Sequence, residues 1–357
     1  MIAPPWESVP PARYGGTEAV VHLLTEELVA LGHAVTLFAS GDSRTSAELR
    51  YACPESLRSA TNLQDRMPSL WRHATEAIGL ARAYDVVHNH AGEEVMALAA
   101  LTGGVPMLTT MHCNIAPDRR IIWDAYDGYY NTISWSQRRV MARLERPQFA
   151  GVAYNGIDVA SFPFESEKDD YLLFISRIAL EKGTHIAIDA ARRSGHRLLI
   201  AGKVDMADYQ YFLTAIAPHL DGEQMVFLGE ADAVSKRELY RKAKALLMPI
   251  VWEEPFGLVM AEAQACGTPV IAFDRGAARE IVTDGETGFV VDTLDKMVEA
   301  IGRVHEIDSA NCRRAMEARF DKAQLAERYL QLYEDIIGGK RVRSSDLLEE
   351  SNKLARR

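Results

Sequence analysis

Two glutamates eight positions apart, Glu254 and Glu262, frame the stretch EEPFGLVMAEAQACGTPV over residues 253–270. The stretch leaves a candidate strand, turns at Gly257 and enters a helix that stops at Gly267. A glycine in the turn lets backbone approach a ligand closely. The amides of Phe256, Gly257, Leu258 and Val259 then point outward at a helix N-terminus, which suits a phosphate. Glu254 precedes the helix and Glu262 lies within it. One carboxylate is thus placed to reach past the phosphates toward a sugar while the other faces a ribose, each accepting hydrogen bonds from hydroxyls. The competing reading is a solvent-exposed helix with ordinary surface glutamates. The small apolar neighbours Ala261, Ala263 and Ala265 speak against it.

Other chemistry-bearing residues say less on their own. Arg177 and Lys182 in FISRIALEKG would more often be surface charge, and a lone histidine such as His112 in LTTMHCN is usually structural. His88 and His90 in HNHAGEE suggest a metal pair, but no third ligand stands at a defined spacing, so no metal is expected. Thr17 is a residue type suited to cap the helical stretch that follows it.

Several function classes are excluded. The dinucleotide fingerprint G-x-G-x-x-G and the P-loop G-x-x-x-x-G-K-[ST] are both absent. There is no Asp-x-Asp to bridge a metal to a diphosphate. A net charge of −10 argues against a nucleic-acid partner, which needs clustered Lys and Arg. The basic run QRRVMARLER at 137–146 is read as a solvated helix face, with contact to anionic lipid heads as the alternative. No apolar run reaches the ~20 residues of a membrane-spanning helix, and no export signal is visible. Cys53, Cys113, Cys266 and Cys312 are far apart without C-x-x-C spacing, which fits a reducing cytosol.

The elements that must position these residues alternate. With 48% apolar and 25% charged residues, the 357-residue chain should fold throughout, into two domains rather than one core. Candidate strands at 34–39, 85–88, 171–176, 197–202, 225–229, 245–250 and 269–273 alternate with amphipathic stretches, as parallel-sheet α/β domains do. The spacing predicts a domain boundary near residue 155, where Asn155-Gly156 reads as a turn. A helix is predicted over 322–337, ended by Gly338-Gly339 and followed by a charged tail to 357. Only Met1-Ile2-Ala3 precede Pro4-Pro5, so the first strand reads as shortened, and added β-branched residues ahead of Met1 are expected to stabilise the first domain.

The segment from Glu254 to Glu262 resembles the E-x7-E signature of the family 4 retaining glycosyltransferases. FISRIALEKG resembles the family segment in which Arg and Lys hold the donor diphosphate, which assigns that role to Arg177 and Lys182. RGAAREIVTDGETGFVV at 275–291 resembles another family segment, with Arg279 where proline is common; YNGID at 154–158 is similar to the family's passage into its second domain. His112 matches a histidine near the reacting sugar, and ARYGGTEAVVHLL resembles the family's opening, with Gly15, Gly16, Thr17 and His90 on the acceptor side.

The resemblance covers nearly the whole chain and implies an α/β GT-B fold, two Rossmann-like parallel-sheet domains facing a cleft. Residues 1–153 would form the acceptor-side domain and 154–320 the donor domain, with 321–338 returning to the first and 339–357 as a tail. It further implies retaining hexose transfer from a nucleoside-diphosphate sugar, UDP favoured over GDP, as co-substrate and without cofactor or metal. The acceptor would be a carbohydrate, a lipid-linked or a small molecule, met in the cytoplasm or at the inner face of the membrane. A GT-B epimerase, a phosphorylase and a non-catalytic nucleotide-sugar-binding partner of another transferase are the alternatives.

Overall fold

The computed structural model describes residues 1–13, 15–61, 63–141 and 144–339. The chain divides into two compact units, one from Met1 to Gly156 joined by the described residues from Lys322 onward, the other Ile157–Asp321. In the first unit the chain runs α1 (Gly16–Ala30), β1 (Thr36–Phe38), β2 (Glu48–Arg50), α2 (Met67–Gly79), β3 (Val87–Asn89), α3 (Glu93–Met96), β4 (Met107–Thr110), α4 (Arg120–Ala125), β5 (Tyr129–Thr132), α5 (Trp135–Val140) and β6 (Gln148–Val152). The second unit continues with β7 (Tyr171–Ile175), α6 (Thr184–Ser194), β8 (Arg197–Ala201), α7 (Tyr209–Tyr211), β9 (Met225–Phe227), α8 (Ala233–Lys242), β10 (Ala245–Met248), α9 (Leu258–Ala265), β11 (Val270–Phe273), α10 (Ala278–Ile281), β12 (Gly288–Val291), α11 (Leu294–Arg303) and α12 (Ser309–Arg319). Last comes α13 (Lys322–Ile337), which belongs to the first unit.

The second unit is one parallel sheet in the order β12-β11-β10-β7-β8-β9. Leu172, Phe174, Leu198, Ile200, Leu247 and Ile271 enter one core from one face of the sheet, and the alternate residues Leu173, Leu246 and Val270 are buried as well, so the strands read as continuous apolar runs. The strand order reverses between β7 and β10, and ligands of open α/β sheets bind beyond the carboxyl ends of the strands at such a point.

In the first unit β3-β4-β5-β6 form a parallel sheet and β1-β2 a parallel pair. Ile2 bridges Phe38 on one side and Asn89 on the other, both in parallel sense, and so links the two. The short opening segment is therefore a paired central strand: Ile2 N–H donates to His88 O at 2.8 Å and Ala3 N–H to Phe38 O at 2.9 Å. α13 lays Leu325, Tyr329, Leu332, Tyr333 and Ile336 inward at helical spacing and packs on α1 and β6. Arg328 Nε donates to Val152 O at 2.7 Å, and Lys322 pairs with Glu27 at 3.1 Å.

Four expectations change. Gly15, not Thr17, occupies the N-cap of α1, and no side chain caps it, because the helix already begins at Gly16. Residues 153–156 form no turn. Ala153 extends the β6 ladder by donating to Thr132 O, and Ile157 N–H donates to Phe320 O. The basic run at 137–146 is only partly a solvated face: α5 ends at Val140, and buried Gln137 donates to Met111 O and Cys113 O. Residues 142 and 143 of that run, and the tail from 340 on, lie outside the described residues. Finally β2, β5, β6 and β12 are strands that the sequence pattern did not single out.

The Met1 amine donates to Thr36 O at 3.0 Å, and burial pushes its pKa down from 8.0 to about 5. A cavity of about 720 Å³ adjoins it, lined in part by Val35, Thr36, Val86, Leu330 and Tyr333. Between pH 5 and 8 the unfolded chain binds a proton at this amine that the folded chain refuses, so stability falls as pH drops through that window. A chain extended by a short β-branched run ahead of Met1 replaces the amine with an amide and fills the cavity. Its melting temperature is expected to exceed the parent's, with the pH dependence above about 7 flattened; what remains at lower pH belongs to His73, His88, His90 and His112, which burial keeps neutral, and, in the opposite sense, to Glu18, whose carboxyl burial raises to about 7. Equal melting curves for the two chains across pH 5–8 would refute this.

Candidate active site

At the reversal point of the second unit, Arg177 lies just beyond the end of β7 and Lys182 closes the short turn that leads into α6. Glu254 follows the end of β10. Lys182 Nζ lies 2.5 Å from Glu254 Oε2, with side-chain exposures of only 13% and 11%. Trp252 Nε1 donates to the same carboxylate oxygen at 2.9 Å, and the ammonium sits 4.6 Å from the Trp252 ring centroid. A desolvated cation over an indole face is further stabilised by the ring quadrupole. The backbone at Glu254 is clamped: Ala277 N–H donates to Glu254 O at 2.9 Å, and a Cβ on Gly276 would come within 2.2 Å of the Glu254 backbone. Only glycine fits at position 276, which also has φ +56.

Arg177 donates to Asp208 Oδ2 at 2.6 Å and is also paired with Glu181. Both candidate cations therefore hold carboxylate partners in the free protein. α9 begins after Gly257, at φ 86, and no side chain caps it. The amides of Leu258 and Val259 thus have no intrahelical acceptor, whereas Met260 N–H donates to Gly257 O at 2.9 Å. The Phe256 side chain is fully buried, with its ring 5.6 Å from that of Phe320.

Glu262 is buried rather than on a solvated face, which sets aside the reading of ordinary surface glutamates. It forms a separate cluster: Lys236 Nζ at 2.7 Å from Oε1 and Tyr240 O–H donating to Oε2 at 2.8 Å. Burial and the adjacent Glu262 charge drive the Tyr240 phenol well above its ordinary value. Two of the roughly four lone-pair positions of the carboxylate are used, leaving two for further hydroxyls.

In the first unit, His112 lies just past β4 and His90 just past β3, and the two are bonded, His90 Nδ1 to His112 Nε2 at 2.9 Å. His90 Nε2 lies 3.2 Å from Nδ1 of His88, which contacts the Tyr333 hydroxyl at 2.6 Å and, through Nε2, the Thr110 hydroxyl at 2.7 Å. Burial lowers the pKa of all three imidazoles, His112 to about 4. His88 and His90 meet each other and their neighbours, and among the described residues no group of three or more His, Cys, Asp or Glu is placed to hold a metal. Gly15 and Gly16 open α1 beside buried Glu18, whose carboxyl burial raises to about 7.

Sequence reading missed Glu181, Asp208, Trp252, Lys236 and Tyr240. Trp252 stands two positions from Glu254 and was within reach of a closer look. Asp208, Lys236 and Tyr240 sit on remote elements, and nothing in their local sequence marks them.

Two parallel-sheet units of this kind make up the GT-B fold of glycosyltransferases. A family model described as Glycosyltransferase Family 4 matches residues 14–171, and one described as Glycosyl transferases group 1 matches residues 159–322. The D-inositol 3-phosphate glycosyltransferase of Acidothermus cellulolyticus is 30% identical over 74% of this chain and 70% of its own length. The glycogen synthase of Mycobacterium tuberculosis is 29% identical over 92% of each. Among solved structures, the sucrose-phosphate synthase of Thermosynechococcus elongatus superposes with a TM-score of 0.75 at 21% identity, over 95% of this chain and 98% of that one. The chain belongs to the family 4, group 1 glycosyltransferases.

Proposed function

We infer that this glycosyltransferase moves a hexose, with retention of configuration, from a nucleoside-diphosphate sugar to an acceptor hydroxyl, with UDP favoured over GDP as the nucleotide. The observation that carries the reading is the Lys182–Glu254 pair beside the uncapped start of α9, where the strand order of the second sheet reverses.

Departure of the nucleoside diphosphate builds negative charge on the leaving oxygen. Arg177, Lys182 and the amides at 256–259 stabilise that charge, and fixed charges and dipoles do so without reorganising during the reaction. Donor binding exchanges partners. The diphosphate replaces carboxylates around Lys182 and Arg177, and Glu254, released from Lys182, accepts a hydrogen bond from a hexose hydroxyl. Glu262 takes the ribose with its remaining lone pairs. His112 holds a sugar hydroxyl near the reacting centre, Gly15, Gly16, Thr17 and His90 belong to the acceptor side, and attack comes from the face of departure.

No metal or cofactor takes part in this reading. Transfer activity is expected to persist in excess chelator; complete loss, restored by Mg²⁺ or Mn²⁺, would refute it. Donor hydrolysis in the absence of acceptor separates an enzyme from a non-catalytic sugar-nucleotide binder. Nucleotide sugars screened by thermal shift rank the donors, because a ligand bound only by the folded state raises stability with ln(1 + [L]/Kd). The four cysteines are free and among the described residues no helix is long and apolar enough to cross a membrane, which supports a cytoplasmic site of action, with the inner membrane face as an alternative.

A further inference from the structure

Residues 252–254 of the second unit form a three-residue turn that brings the side chains of Trp252 and Glu254 together. Glu254 N–H donates to Trp252 O at 3.0 Å and closes the turn around Glu253. The turn is fastened at two further points: Gly276 N–H donates to Glu253 Oε2 at 2.9 Å, and Ala277 N–H donates to Glu254 O at 2.9 Å. Trp252 and Glu254 thus leave a fixed stretch of backbone. From it the indole N–H reaches Glu254 Oε2 at 2.9 Å.

Lys182 binds that same oxygen, at 2.5 Å. A carboxylate oxygen offers two lone pairs, so Oε2 is fully used, while among the described residues no hydrogen bond is made to Oε1. The two donors differ in what can draw them away. Lys182 carries a full charge on a flexible stem and follows a stronger anion, whereas the indole is a rigid neutral ring on clamped backbone. A phosphate that takes the ammonium therefore leaves the indole N–H on Oε2.

We propose that Trp252 is a positioning residue that keeps Glu254 in place when a diphosphate draws Lys182 away, so that Oε1 stays presented to a hydroxyl of the same ligand. The proposal rests on the glycosyl-transfer reading for the identity of that ligand, a nucleoside-diphosphate sugar, while the hold of the indole on Oε2 stands on geometry alone. Without the N–H, the carboxylate loses its last side-chain partner at the moment Lys182 leaves. The hydroxyl then meets an acceptor in many orientations instead of one, and orientation of the reacting sugar is what sets the rate.

The chain has five tryptophans, and indole N–H spectra of the ¹⁵N-tryptophan-labelled protein, assigned with Trp252→Phe, follow this bond directly. Trp123, whose indole donates to Glu93 in the first unit, is the internal reference. The Trp252 proton is expected downfield, as in a charge-assisted bond, to remain there in saturating UDP and in Lys182→Met, and to move upfield in Glu254→Ala. An upfield move with UDP or in Lys182→Met, or none in Glu254→Ala, overturns the proposal. Trp252→Phe keeps an aromatic ring and loses the N–H. Its kcat should fall roughly tenfold, the scale of a hydrogen bond to a charged group, with affinity for free UDP unchanged. In a Glu254→Ala background the same substitution should change kcat by less than about twofold, because nothing is left to position. A tenfold fall in that background, an unchanged rate in Trp252→Phe alone, or a loss confined to KM refutes the positioning role. Should no nucleotide sugar be turned over at all, the functional reading fails, and the spectra of the parent and Lys182→Met still decide whether the indole holds Glu254.

Discussion

Lys182→Met is expected to lower kcat/KM for the nucleotide sugar by roughly 10- to 150-fold, the range of a lost charge-assisted hydrogen bond, and to destabilise the second unit by about 3 kcal/mol. The two effects share one cause. Lys182 and Glu254 are nearly buried against Trp252, so removing the ammonium deprives the donor diphosphate of a cation and leaves the Glu254 carboxylate in a desolvated place without its partner. The stability loss and the rate loss separate in a double-mutant cycle. Lys182→Met with Glu254→Gln removes both charges, so it should melt above Lys182→Met alone while remaining as slow or slower. Arg177→Ala should weaken donor binding by a similar factor with a smaller stability loss, because its partners Asp208 and Glu181 are more exposed to water. A Lys182→Met variant that binds and turns over donor like the parent would show that this segment does not hold the diphosphate.

Glu254→Gln and Glu262→Gln are expected to fail in different ways. The ribose keeps its bonding during transfer, so its contact with Glu262 is equal in ground and transition states, and losing it should mainly raise the donor KM. In the proposed reading Glu254 stands where the hexose develops positive character, so its loss should lower kcat. Each effect should be about 1.5–3 kcal/mol where the carboxylate is well paired. Free nucleoside diphosphate lacks the hexose, so calorimetric titration with UDP and GDP should show weakened binding to Glu262→Gln and parental binding to Glu254→Gln. The geometry adds a control. Glu262 also holds Lys236 and Tyr240, so Lys236→Met, which leaves the carboxylate in place, should weaken nucleotide binding less than Glu262→Gln. Equal losses of UDP and GDP affinity in the two glutamate variants would sink the division of roles.

The local geometry around Glu254 and Glu262 was legible because its parts are close in sequence. Gly257 at positive φ, the uncapped α9 and the buried Glu262 all follow from one stretch whose small neighbours leave no solvated face. The second sheet was legible for a related reason: strands buried on both faces carry unbroken apolar runs such as YLLFI and ALLM. β5 and β6 were missed because YYNT and QFAGV carry Asn131 and Gly151, the first bonded to the Thr110 and Tyr329 hydroxyls and the second standing where the register shifts. The carboxylates that pair Arg177, and the hydroxyls that order His88, come from elements far apart in the chain, and no local pattern announces them.

The first unit is closed by the last helix described. Tyr329 and Tyr333 complete a core whose other walls are made before Gly156, and about 165 residues of the second unit are synthesised in between. At ordinary translation rates the growing chain carries the first unit without that wall for roughly ten to thirty seconds. During that interval the apolar flank of α1 and the Val152 carbonyl lack their partners, and His88 Nδ1 lacks the Tyr333 hydroxyl. Assembly at the ribosome is therefore ordered against the direction of synthesis: the second unit can finish first, and the unit begun first is the one finished last.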